Sequence, residues 1–425
     1  MASLIEELKW RGLIHDVTPG AEEQLDKEIT KGYVGFDPTA DSLHIGNLVP
    51  IMLLTHLQKA GHKPVVLVGG ATGRVGDPSG KTQERQLLSA EAIEYNLEAQ
   101  KRQLESFLAF GEGPTDAVIV NNYDWFKDFS FLGFIRDVGK HIGINYMLAK
   151  DSVKTRLESG MSFTEFTYQL IQGYDFYHLN KEMGVRLQMG GSDQWGNITT
   201  GTELIRRMGG TESYALTAPL VKKADGSKFG KSEGGNVWLD PDKTSPYKFY
   251  QFWFNASDED IENFIKIFSL KSKEEIDSLI AEHQEAPHLR VLQKDLGAEL
   301  TERIHGREAL EGAIEASNIL FGKSTAKSLQ GLSERDFLDV FSGVAQSEVE
   351  KSSVSDGTGI IDFLSETSGF LNSKGEARRA LKENSISVNK EKVDENYTIS
   401  ESDLIRDKYV LLQRGKKNYF IVKVI

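Results

Sequence analysis

The sequence predicts an α/β protein: a doubly wound parallel sheet, then a helical domain and a small α+β domain. Between residue 33 and about residue 240, short β-like runs alternate with helical patterns, which is typical of parallel sheets with crossover helices. After about residue 245 capped helical stretches replace the β-like runs, and the β-like pattern returns after residue 358. The chain of 425 residues is long enough for several domains.

The first domain holds five apolar runs that we interpret as buried strands. They are YVGF, VVLV, AVIVNN, VRLQMG and NVWLD. The stretch AEAIEYNLEAQKRQLESFLAF has the apolar spacing of an amphipathic helix between two of them. Ligands of such sheets bind beyond the carboxyl ends of the strands, so the loops after YVGF and VVLV are candidate binding segments.

The rest of the chain divides by composition. SDEDIENFIKIFSL and SKEEIDSLIAEHQ begin at Ser or Asp caps and predict a helical domain. AQSEVEKSSVSDGTG is polar and rich in Ser, as a linker is. The last module combines a basic helix, SKGEARRALKEN, with β-like SISVN, YVLLQRG and NYFIVKV. We expect domains at residues 1–240, 241–344 and 358–425, with a linker at 345–357.

Composition excludes several classes of protein. The chain has no cysteine, so disulfides, thiolate metal sites and cysteine nucleophiles are excluded. We expect a cytoplasmic protein with no membrane partner, because no apolar run reaches the length of a membrane span and the first residues lack a signal-peptide pattern. The net charge of −13 argues against nucleic-acid binding over the whole surface, although the segment after residue 358 is slightly basic.

The glycine-rich stretch VVLVGGATGRVGDPSGKT, residues 65–82, looks like a Walker A phosphate loop but departs from it. Only three residues separate Gly76 from Gly80, where the Walker A loop has four. Asp77 would also place a negative charge among phosphates held by backbone N–H groups. The stretch is therefore not predicted to wrap a phosphate.

The stretch DSLHIGN has the features of a nucleotide-binding helix start. Asp41 and Ser42 are candidate N-caps, and His44 and Asn47 share one helical face. Gly46 lets a flat ring approach the backbone, and the positive end of a helix suits a triphosphate. Taken alone, the stretch is equally compatible with a capped helix start that carries a surface histidine.

A second segment, KADGSKFGKSEGG at residues 223–235, presents Lys228 and Lys231 in a glycine-flanked loop. Two such cations can reach a phosphate chain, but a solvated basic turn is the plainer reading of this segment by itself.

Five ordered motifs together resemble bacterial tyrosyl-tRNA synthetases, a family of class I aminoacyl-tRNA synthetases. They are YVGFDPTADSLHIGN, VGDPSGK, FTYQLIQGYDF, QMGGSDQWGN and KFGKS. HIGN and KFGKS stand in the order of the HIGH and KMSKS motifs of that class. The resemblance covers nearly the whole chain, and the C-terminal module is similar to an S4-type RNA-binding domain.

The resemblance implies a Rossmann-like catalytic domain and a two-step reaction. ATP would activate L-tyrosine to tyrosyl-adenylate, and the tyrosyl group would pass to the 3′-terminal ribose of tRNA(Tyr) in protein synthesis. It also implies a homodimer formed through the catalytic domain. ATP would be a substrate that carries its own Mg²⁺, and we expect no protein-bound metal or prosthetic group.

The resemblance also implies four sets of site residues. The tyrosine-binding set is Tyr33, Asp77, Tyr168, Gln172, Asp175, Gln188 and Gln194. The ATP-binding set is Gly35, Asp37, Gly46, Gly191, Asp193 and Lys231. The catalytic set, acting on the leaving pyrophosphate, is Thr39, His44, Asn47, Lys81, Arg85, Lys228 and Lys231. The tRNA-binding set is Lys374, Arg378, Arg379 and Lys382.

In that scheme Asp77 receives the α-ammonium of tyrosine, which accounts for a negative charge in its loop, while Tyr33 and Asp175 read the phenolic hydroxyl. By periodicity alone, Tyr168, Gln172 and Asp175 form a polar stripe on one helix, which is more typical of a solvated face. QMGGSDQW alone is compatible with a glycine-rich turn and a capping Asp, and SKGEARRALKEN with a solvated amphipathic helix.

The sequence departs from the family pattern at two positions. Asn47 replaces the last histidine of HIGH, so a role that needs a charged imidazole does not carry over. Asn384 stands in a turn where S4-type domains often have glycine, and asparagine tolerates the left-handed conformation.

Three alternatives remain open from the residues. A tryptophanyl-tRNA synthetase shares both signature motifs, although Tyr33 and Asp175 suit a phenol. A catalytically silent RNA-binding relative would be expected to lose His44 and the two loop lysines. A small-molecule nucleotidylyltransferase would not account for the helical and S4-like extensions.

Overall fold

The computed structural model describes residues 3–77, 88–157, 160–227, 229–232, 235–320, 326–415 and 418–425. The chain forms two compact units. The first combines Met1–Lys243 with Trp253–Ile304, and the second combines Thr244–Phe252 with His305–Ile425. Among the helices in the described ranges, none is long and apolar enough to cross a membrane.

The first unit is built on a six-stranded sheet with the order β1-β6-β5-β2-β3-β4. Its strands are β1 (Asp16–Val17), β2 (Lys31–Phe36), β3 (Lys63–Val68), β4 (Val118–Asn121), β5 (Val185–Gly191) and β6 (Tyr214–Ala218), and a separate hairpin joins β7 (Lys231–Ser232) to β8 (Gly235–Asn236). Strands β2 to β6 pair in parallel, and the edge strand β1 runs antiparallel to β6. Four of the five predicted strands are therefore confirmed.

Helices cover this sheet. They are α1 (Leu4–Trp10), α2 (Ala21–Lys27), α3 (Leu48–Lys59), α4 (Ala90–Leu104), α5 (Tyr123–Phe126), α6 (Phe131–Asp137), α7 (Ile144–Leu148), α8 (Asp151–Leu157), α9 (Phe163–Met183) and α10 (Trp195–Met208). Helix α9 begins with a capping box between Ser162 and Glu165 and ends at the left-handed Gly184.

Helices α9 and α10 approach each other closely through two glycines. A Cβ added at Gly201 would lie 2.9 Å from Cβ of Phe176, and one added at Gly173 would lie 3.3 Å from the amide nitrogen of Gly201. The two glycines carry no side chain, so the helix backbones can lie close together. This close approach brings side chains beside the glycines within hydrogen-bond distance of each other.

The strand order reverses between β2 and β5. These strands pair only as far as Tyr33 and Gln188, whereas β2 continues beside β3 to Phe36. Gly35 is exposed beyond the point where the strands part. Doubly wound sheets bind ligands at such a switch point, so the site is expected here.

The predicted fifth strand, NVWLD, is wrong as a member of this sheet. Its residues instead run antiparallel to the start of the HIGN segment, where Ile45 donates its N–H to the Val237 carbonyl at 3.0 Å and Leu239 donates to Leu43 at 2.8 Å. Val237 and Leu239 are buried by this contact. The run therefore has the apolar composition of a strand without belonging to the sheet.

Helices dominate the stretch that follows, as predicted. They are α11 (Pro246–Phe254), α12 (Asp258–Phe268), α13 (Lys273–Glu285), α14 (Val291–His305), α15 (Arg307–Leu320), α16 (Ala326–Gly331) and α17 (Glu334–Val340). The domain boundaries proposed from the sequence stay predictions.

The second unit ends in a five-stranded sheet with the order β12-β11-β14-β15-β9. The elements of this part are β9 (Ala345–Val349), α18 (Ser352–Ser355), β10 (Thr358–Gly359), α19 (Ile360–Asp362), α20 (Lys374–Lys382), β11 (Ile386–Val388), β12 (Glu391–Lys392), β13 (Thr398–Ile399), β14 (Tyr409–Arg414) and β15 (Asn418–Val424). Asn384 has a φ of 51°, in the left-handed region as predicted.

The structure differs from the predicted linker at 345–357, because residues 345–349 form β9 and pair in parallel with β15. Most side chains of β9 are exposed or half-buried, and Val349 alone among the five is buried. This strand is held by backbone hydrogen bonds to the edge strand β15 and not by apolar side chains. Its polar composition therefore resembles that of a linker.

Candidate active site

One end of the site is formed by Tyr33 on β2 and Asp175 on α9, each 1% exposed. The Tyr33 ring packs edge-on against Phe176, with ring centroids 5.3 Å apart. Its hydroxyl is buried and has no hydrogen-bond partner among the residues described. Burial, and then the Asp175 charge, raise the pKa of Tyr33 well above its usual value. A buried unpaired hydroxyl costs about 1–3 kcal/mol, so this one indicates a place for a polar group of a ligand.

Asp175 is held from its other side by two residues that sequence reasoning missed. Asn122 Nδ2 donates to Asp175 Oδ2 at 3.0 Å, and Trp125 Nε1 donates to Oδ1 at 2.9 Å. Burial raises the pKa of Asp175 to about 8, and these two hydrogen bonds oppose the rise. Both residues follow β4 in the stretch NNYDW. Ligands bind beyond the carboxyl ends of parallel strands, so their position after a predicted strand could have identified them as candidate site residues.

Tyr168 lies two turns before Asp175 on α9 and is also buried. Its hydroxyl donates to Asp37 Oδ2 at 3.0 Å, while Thr72 Oγ1 donates to Asp37 Oδ1 at 2.7 Å. Burial first, and then the Asp37 charge, raise the pKa of Tyr168 well above its usual value. The polar stripe of α9 therefore lies inside the protein, not on a solvated face, and Asp37, predicted in the ATP set, contacts a member of the tyrosine set.

Asp77 lies at the other end of the site and is 8% exposed. Gln194 Nε2 donates to its Oδ2 at 2.8 Å, and Asn197 Nδ2 lies 3.5 Å from its Oδ1. Gln172 joins the same group, since its Nε2 donates to Gln194 Oε1 at 3.3 Å. The structure thus brings together three members of the predicted tyrosine set and adds Asn197.

The end of β5 holds the remaining polar residues of the sequence prediction. Gln188 is buried there, and its Oε1 has no partner among the described atoms. Asp193 lies in the short 3-10 helix Ser192–Gln194 that follows. A Cβ added at Gly191 would lie 2.6 Å from Asp193 Oδ1, so Gly191 is what allows this carboxylate to fold back toward the strand.

The HIGN segment forms its own cap. His44 Nδ1 accepts from the Gly46 N–H at 3.0 Å, and Asn47 Oδ1 accepts from the His44 N–H at 3.0 Å. The helical segment therefore begins at Ile45, and the prediction that Asp41 or Ser42 caps it is wrong, because the His44 side chain reaches its first N–H groups. Asn47, predicted as catalytic, has its amide oxygen engaged in this cap.

The two signature motifs meet through backbone atoms. Gly230 has a φ of 87°, and a Cβ added there would lie 3.3 Å from the Gly46 amide nitrogen. Lys231 follows directly, in β7. Thr39 is exposed just after β2. The predicted cations Lys81, Arg85 and Lys228, and the side chain of Lys231, lie outside the described residues.

The predicted tRNA-binding residues lie on α20. Arg378, Arg379 and Lys382 are exposed. Lys374 differs from them, because its Nζ lies 2.8 Å from Asp362 Oδ1 and 2.9 Å from Glu366 Oε2. These two carboxylates raise the pKa of Lys374 and offset its charge locally.

Comparison with known proteins separates the alternatives. Residues 26–322 match the family of class I tRNA synthetases (W and Y), and residues 336–422 match the tyrosine--tRNA ligase SYY-like C-terminal domain. The tyrosine--tRNA ligase of Flavobacterium johnsoniae is 62% identical, with 100% of both chains covered. That of Porphyromonas gingivalis is 57% identical and covers 99% of this chain and 100% of its own.

Among solved structures, a C-terminally truncated mitochondrial tyrosyl-tRNA synthetase of Aspergillus nidulans is 32% identical with a TM-score of 0.67, over 76% of this chain and 95% of that one. A tryptophanyl-tRNA synthetase of Encephalitozoon cuniculi shares the fold at 14% identity and a TM-score of 0.51, over 72% of this chain and 87% of that one. The fold alone therefore does not distinguish enzymes for tyrosine from enzymes for tryptophan. The full-length identity to tyrosine--tRNA ligases does distinguish them. These matches confirm the predicted resemblance, fold class and enzyme class. The chain belongs to the tyrosine--tRNA ligase family of class I tRNA synthetases, and its activity is that of an aminoacyl-tRNA synthetase in translation.

Proposed function

We propose that L-tyrosine binds with its phenol between Tyr33 and Asp175. The observation that carries this proposal is the buried, unpaired hydroxyl of Tyr33 near a carboxyl group that Asn122 and Trp125 already hold. A phenolic hydroxyl at this place would pair with both residues at once. A phenyl ring would leave the Tyr33 hydroxyl unpaired, which is costly in a buried site, and an indole offers one N–H donor but no acceptor for the hydroxyl proton.

The α-ammonium of tyrosine needs three acceptors, and the other end of the site offers them. Asp77 supplies a carboxylate, and Gln172 supplies its amide oxygen. Tyr168 gives its own proton to Asp37, so its oxygen lone pairs remain to accept from the ammonium.

In the adenylation step the tyrosine carboxylate attacks the α-phosphorus of ATP. A new P–O bond forms to the carboxylate, and the bond to the pyrophosphate oxygen breaks. No general base is needed, because the carboxylate is already ionised at neutral pH. What needs stabilisation is the charge that develops on pyrophosphate. We assign this role to Thr39, His44, Asn47, Lys81, Arg85, Lys228 and Lys231.

ATP lies, in this proposal, along the carboxyl ends of β2 and β5. Asp193 takes the ribose hydroxyls, while Gly35, Gly46 and Gly191 let the nucleotide approach the backbone, with Asp37 and Lys231 completing the set. The contact between Gly46 and Gly230 supports this arrangement, since it places the two signature motifs next to each other. Mg²⁺ enters with ATP, because hard phosphate oxygens are the ligands it prefers. Within the ranges described, no three His, Asp or Glu side chains are grouped as a metal site.

In the second step the terminal ribose hydroxyl of tRNA(Tyr) attacks the tyrosyl carbonyl, and AMP leaves. The exposed cations of α20 make phosphate contacts with the tRNA. Arg378 and Lys382 are four residues apart and so project from one face of the helix. Their exposure supports this role, whereas the ion pairs of Lys374 weaken its claim to it.

We propose a cytoplasmic homodimer formed through the catalytic domain. Large apolar side chains are exposed on α6, α7 and α9 of the first unit: Phe131, Leu132, Ile135, Ile144 and Phe163. Exposed apolar surface of this kind marks interaction sites. Analytical ultracentrifugation should show that Leu132→Asp, at a residue 77% exposed, dissociates the dimer and that Tyr95→Asp, at a residue on α4 that is 68% exposed, does not. A Leu132→Asp dimer of unchanged affinity would contradict the placement.

The reaction scheme is tested by separating binding from rate. Lys231→Ala should lower the ATP–pyrophosphate exchange rate about 100-fold, as loss of one charge-stabilising group does, while the tyrosine dissociation constant changes less than about twofold. Lys222→Ala, at an exposed lysine before the loop, is the matched control. A Lys231→Ala enzyme that loses tyrosine affinity in proportion to its rate would refute the assignment.

A further inference from the structure

Asn197 lies outside every set of residues predicted from the sequence, yet it stands at the centre of the ammonium end of the site. It is the third residue of α10 and is 3% exposed. Its Nδ2 lies 2.9 Å from Gln172 Oε1, 3.3 Å from Gln194 Oε1 and 3.5 Å from Asp77 Oδ1. Each of these three neighbours is an oxygen atom that accepts.

These contacts depend on the close approach of α9 and α10. Gly173 follows Gln172 on one helix, and Gly201 lies one turn after Asn197 on the other. With the helices in contact at these glycines, Asn197 reaches across to Gln172 without bending either backbone. The placement of Asn197 is therefore set by the fold and does not depend on a mobile side chain.

The network has one consistent orientation of its amides. Asp77 as a carboxylate only accepts, so Gln194 must turn its Nε2 toward it and its Oε1 away. The turned-away Oε1 accepts from Asn197 and from Gln172 Nε2. The Gln172 oxygen must then face Asn197, which is the orientation observed. Without the Asn197 donor at 2.9 Å, only the longer contact of Gln172 Nε2 with Gln194 Oε1, at 3.3 Å, would hold the Gln172 oxygen on that side.

We propose that Asn197 is a positioning residue for the substrate ammonium: it fixes the Gln172 amide so that an oxygen, and not an NH₂ group, lies near Asp77. An ammonium needs acceptors on every N–H, and a Gln172 amide turned the other way would present donors to it. The inference rests on the proposed ammonium site and deepens it. Asn197 itself does not touch the reacting atoms in this scheme.

The test uses two partial substrates on the full-length enzyme. Tyramine keeps the phenol and the ammonium, and 3-(4-hydroxyphenyl)propionate keeps the phenol and the carboxylate but has no ammonium. Asn197→Ala removes the donor, and Asn197→Leu removes it at nearly constant volume. Both variants should lose about tenfold in affinity for tyrosine and tyramine, as loss of one buried hydrogen bond does, and less than twofold for the propionate.

Asn122→Ala is the matched control at the phenol end, because it should weaken both partial substrates by the same factor. An equal loss for tyramine and the propionate in both Asn197 variants would show a general packing role and overturn the inference. Unchanged tyramine affinity in both variants would overturn it as well. Since propionate binding itself reports an intact pocket, a variant that unfolds is recognised, and the leucine variant then decides.

The inference and the function on which it rests fail in different ways. Asp77→Asn should weaken tyramine far more than the propionate. If it leaves tyramine affinity unchanged, the ammonium site itself is wrong, and the role of Asn197 falls with it. If Asp77→Asn weakens tyramine and the Asn197 variants do not, only the inference about Asn197 is overturned.

Discussion

Replacing Tyr33 with phenylalanine should stabilise the unliganded protein while weakening its selectivity. The hydroxyl is buried without a partner in the described structure, and such a group costs about 1–3 kcal/mol. Phenylalanine keeps the ring and its edge-on contact with Phe176. We therefore expect the free energy of unfolding to rise by about 1 kcal/mol.

Tyr168→Phe is the matched control, since it removes the same atom from another buried tyrosine. The Tyr168 hydroxyl donates to Asp37 at 3.0 Å, so its loss leaves a carboxylate with one donor fewer. Hydrogen bonds to charged groups contribute about 1.5–3 kcal/mol, and we expect a loss of about 2 kcal/mol. The same chemical change should thus have opposite signs at the two positions.

Urea unfolding followed by circular dichroism, without tyrosine, measures both changes. Equilibrium binding should show tyrosine affinity falling about fivefold in Tyr33→Phe, the value of one neutral hydrogen bond, with phenylalanine affinity unchanged or higher. If Tyr33→Phe destabilises the protein as much as Tyr168→Phe does, the hydroxyl has a partner before tyrosine binds, and the reasoning is refuted.

Three further predictions follow from the same site and from α20. Asn122→Ala should lower the ratio of tyrosine to phenylalanine affinity about tenfold, because Asp175 loses a buried donor; an unchanged ratio would contradict this. Burial raises the pKa of Asp175 to about 8, so the same ratio should rise between about pH 7 and pH 9 as the carboxyl ionises and becomes the stronger acceptor, and a flat profile would count against it. For stability the sign is reversed: the folded protein holds a proton that the unfolded chain releases, so the contribution of Asp175 is fully present below about pH 4 and is lost as the pH rises to about 8. Arg378→Ala should raise the KM for tRNA and reduce the salt dependence of that KM, with pyrophosphate exchange unchanged. Lys374→Ala should have the smaller effect, because the Lys374 charge is already paired. Equal effects of the two variants would argue against a phosphate contact at Arg378.

The sequence predicted those elements in which the residues that pair in the sheet, or form the helix, are also the residues that are buried. Four strand runs and the helices after residue 245 form as expected, because their apolar spacing matches the faces they bury. NVWLD has the same composition but is buried by the HIGN segment and not by the sheet. Strand β9 is the opposite case, since its backbone joins a sheet edge while its side chains stay polar. The spacing of apolar residues predicts which residues are buried, but it does not predict which segment of the chain buries them.

The resemblance to a family proposed the tyrosine set, and the structure joins three of its members, Asp77, Gln172 and Gln194, in one hydrogen-bonded group. It did not locate Asn122, Trp125 or Asn197. These residues donate hydrogen bonds to Asp175 and Gln172, which are proposed to face the ligand. They lie at least 25 residues away from those partners along the chain, so the sequence does not show the connection. Only the close packing of α9 and α10 shows why Asn197 belongs to the site.

The seam between Gly46 and Gly230 has a mechanical consequence. The two segments touch through backbone atoms at the glycines, and hydrogen bonds from Ile45 to Val237 and from Val237 to Gly230, at 3.0 and 3.1 Å, connect them. A methyl group at either glycine would act as a spacer: at Gly46 it would lie 2.7 Å from the His44 ring, and at Gly230 it would press on the Gly46 backbone. The bare seam thus lets Gly230 lie flush against the helix start, while the neighbouring Phe229 packs against Phe264 and Phe268 with ring centroids 5.0 and 5.2 Å apart. A side chain at either glycine would force these two packed surfaces apart.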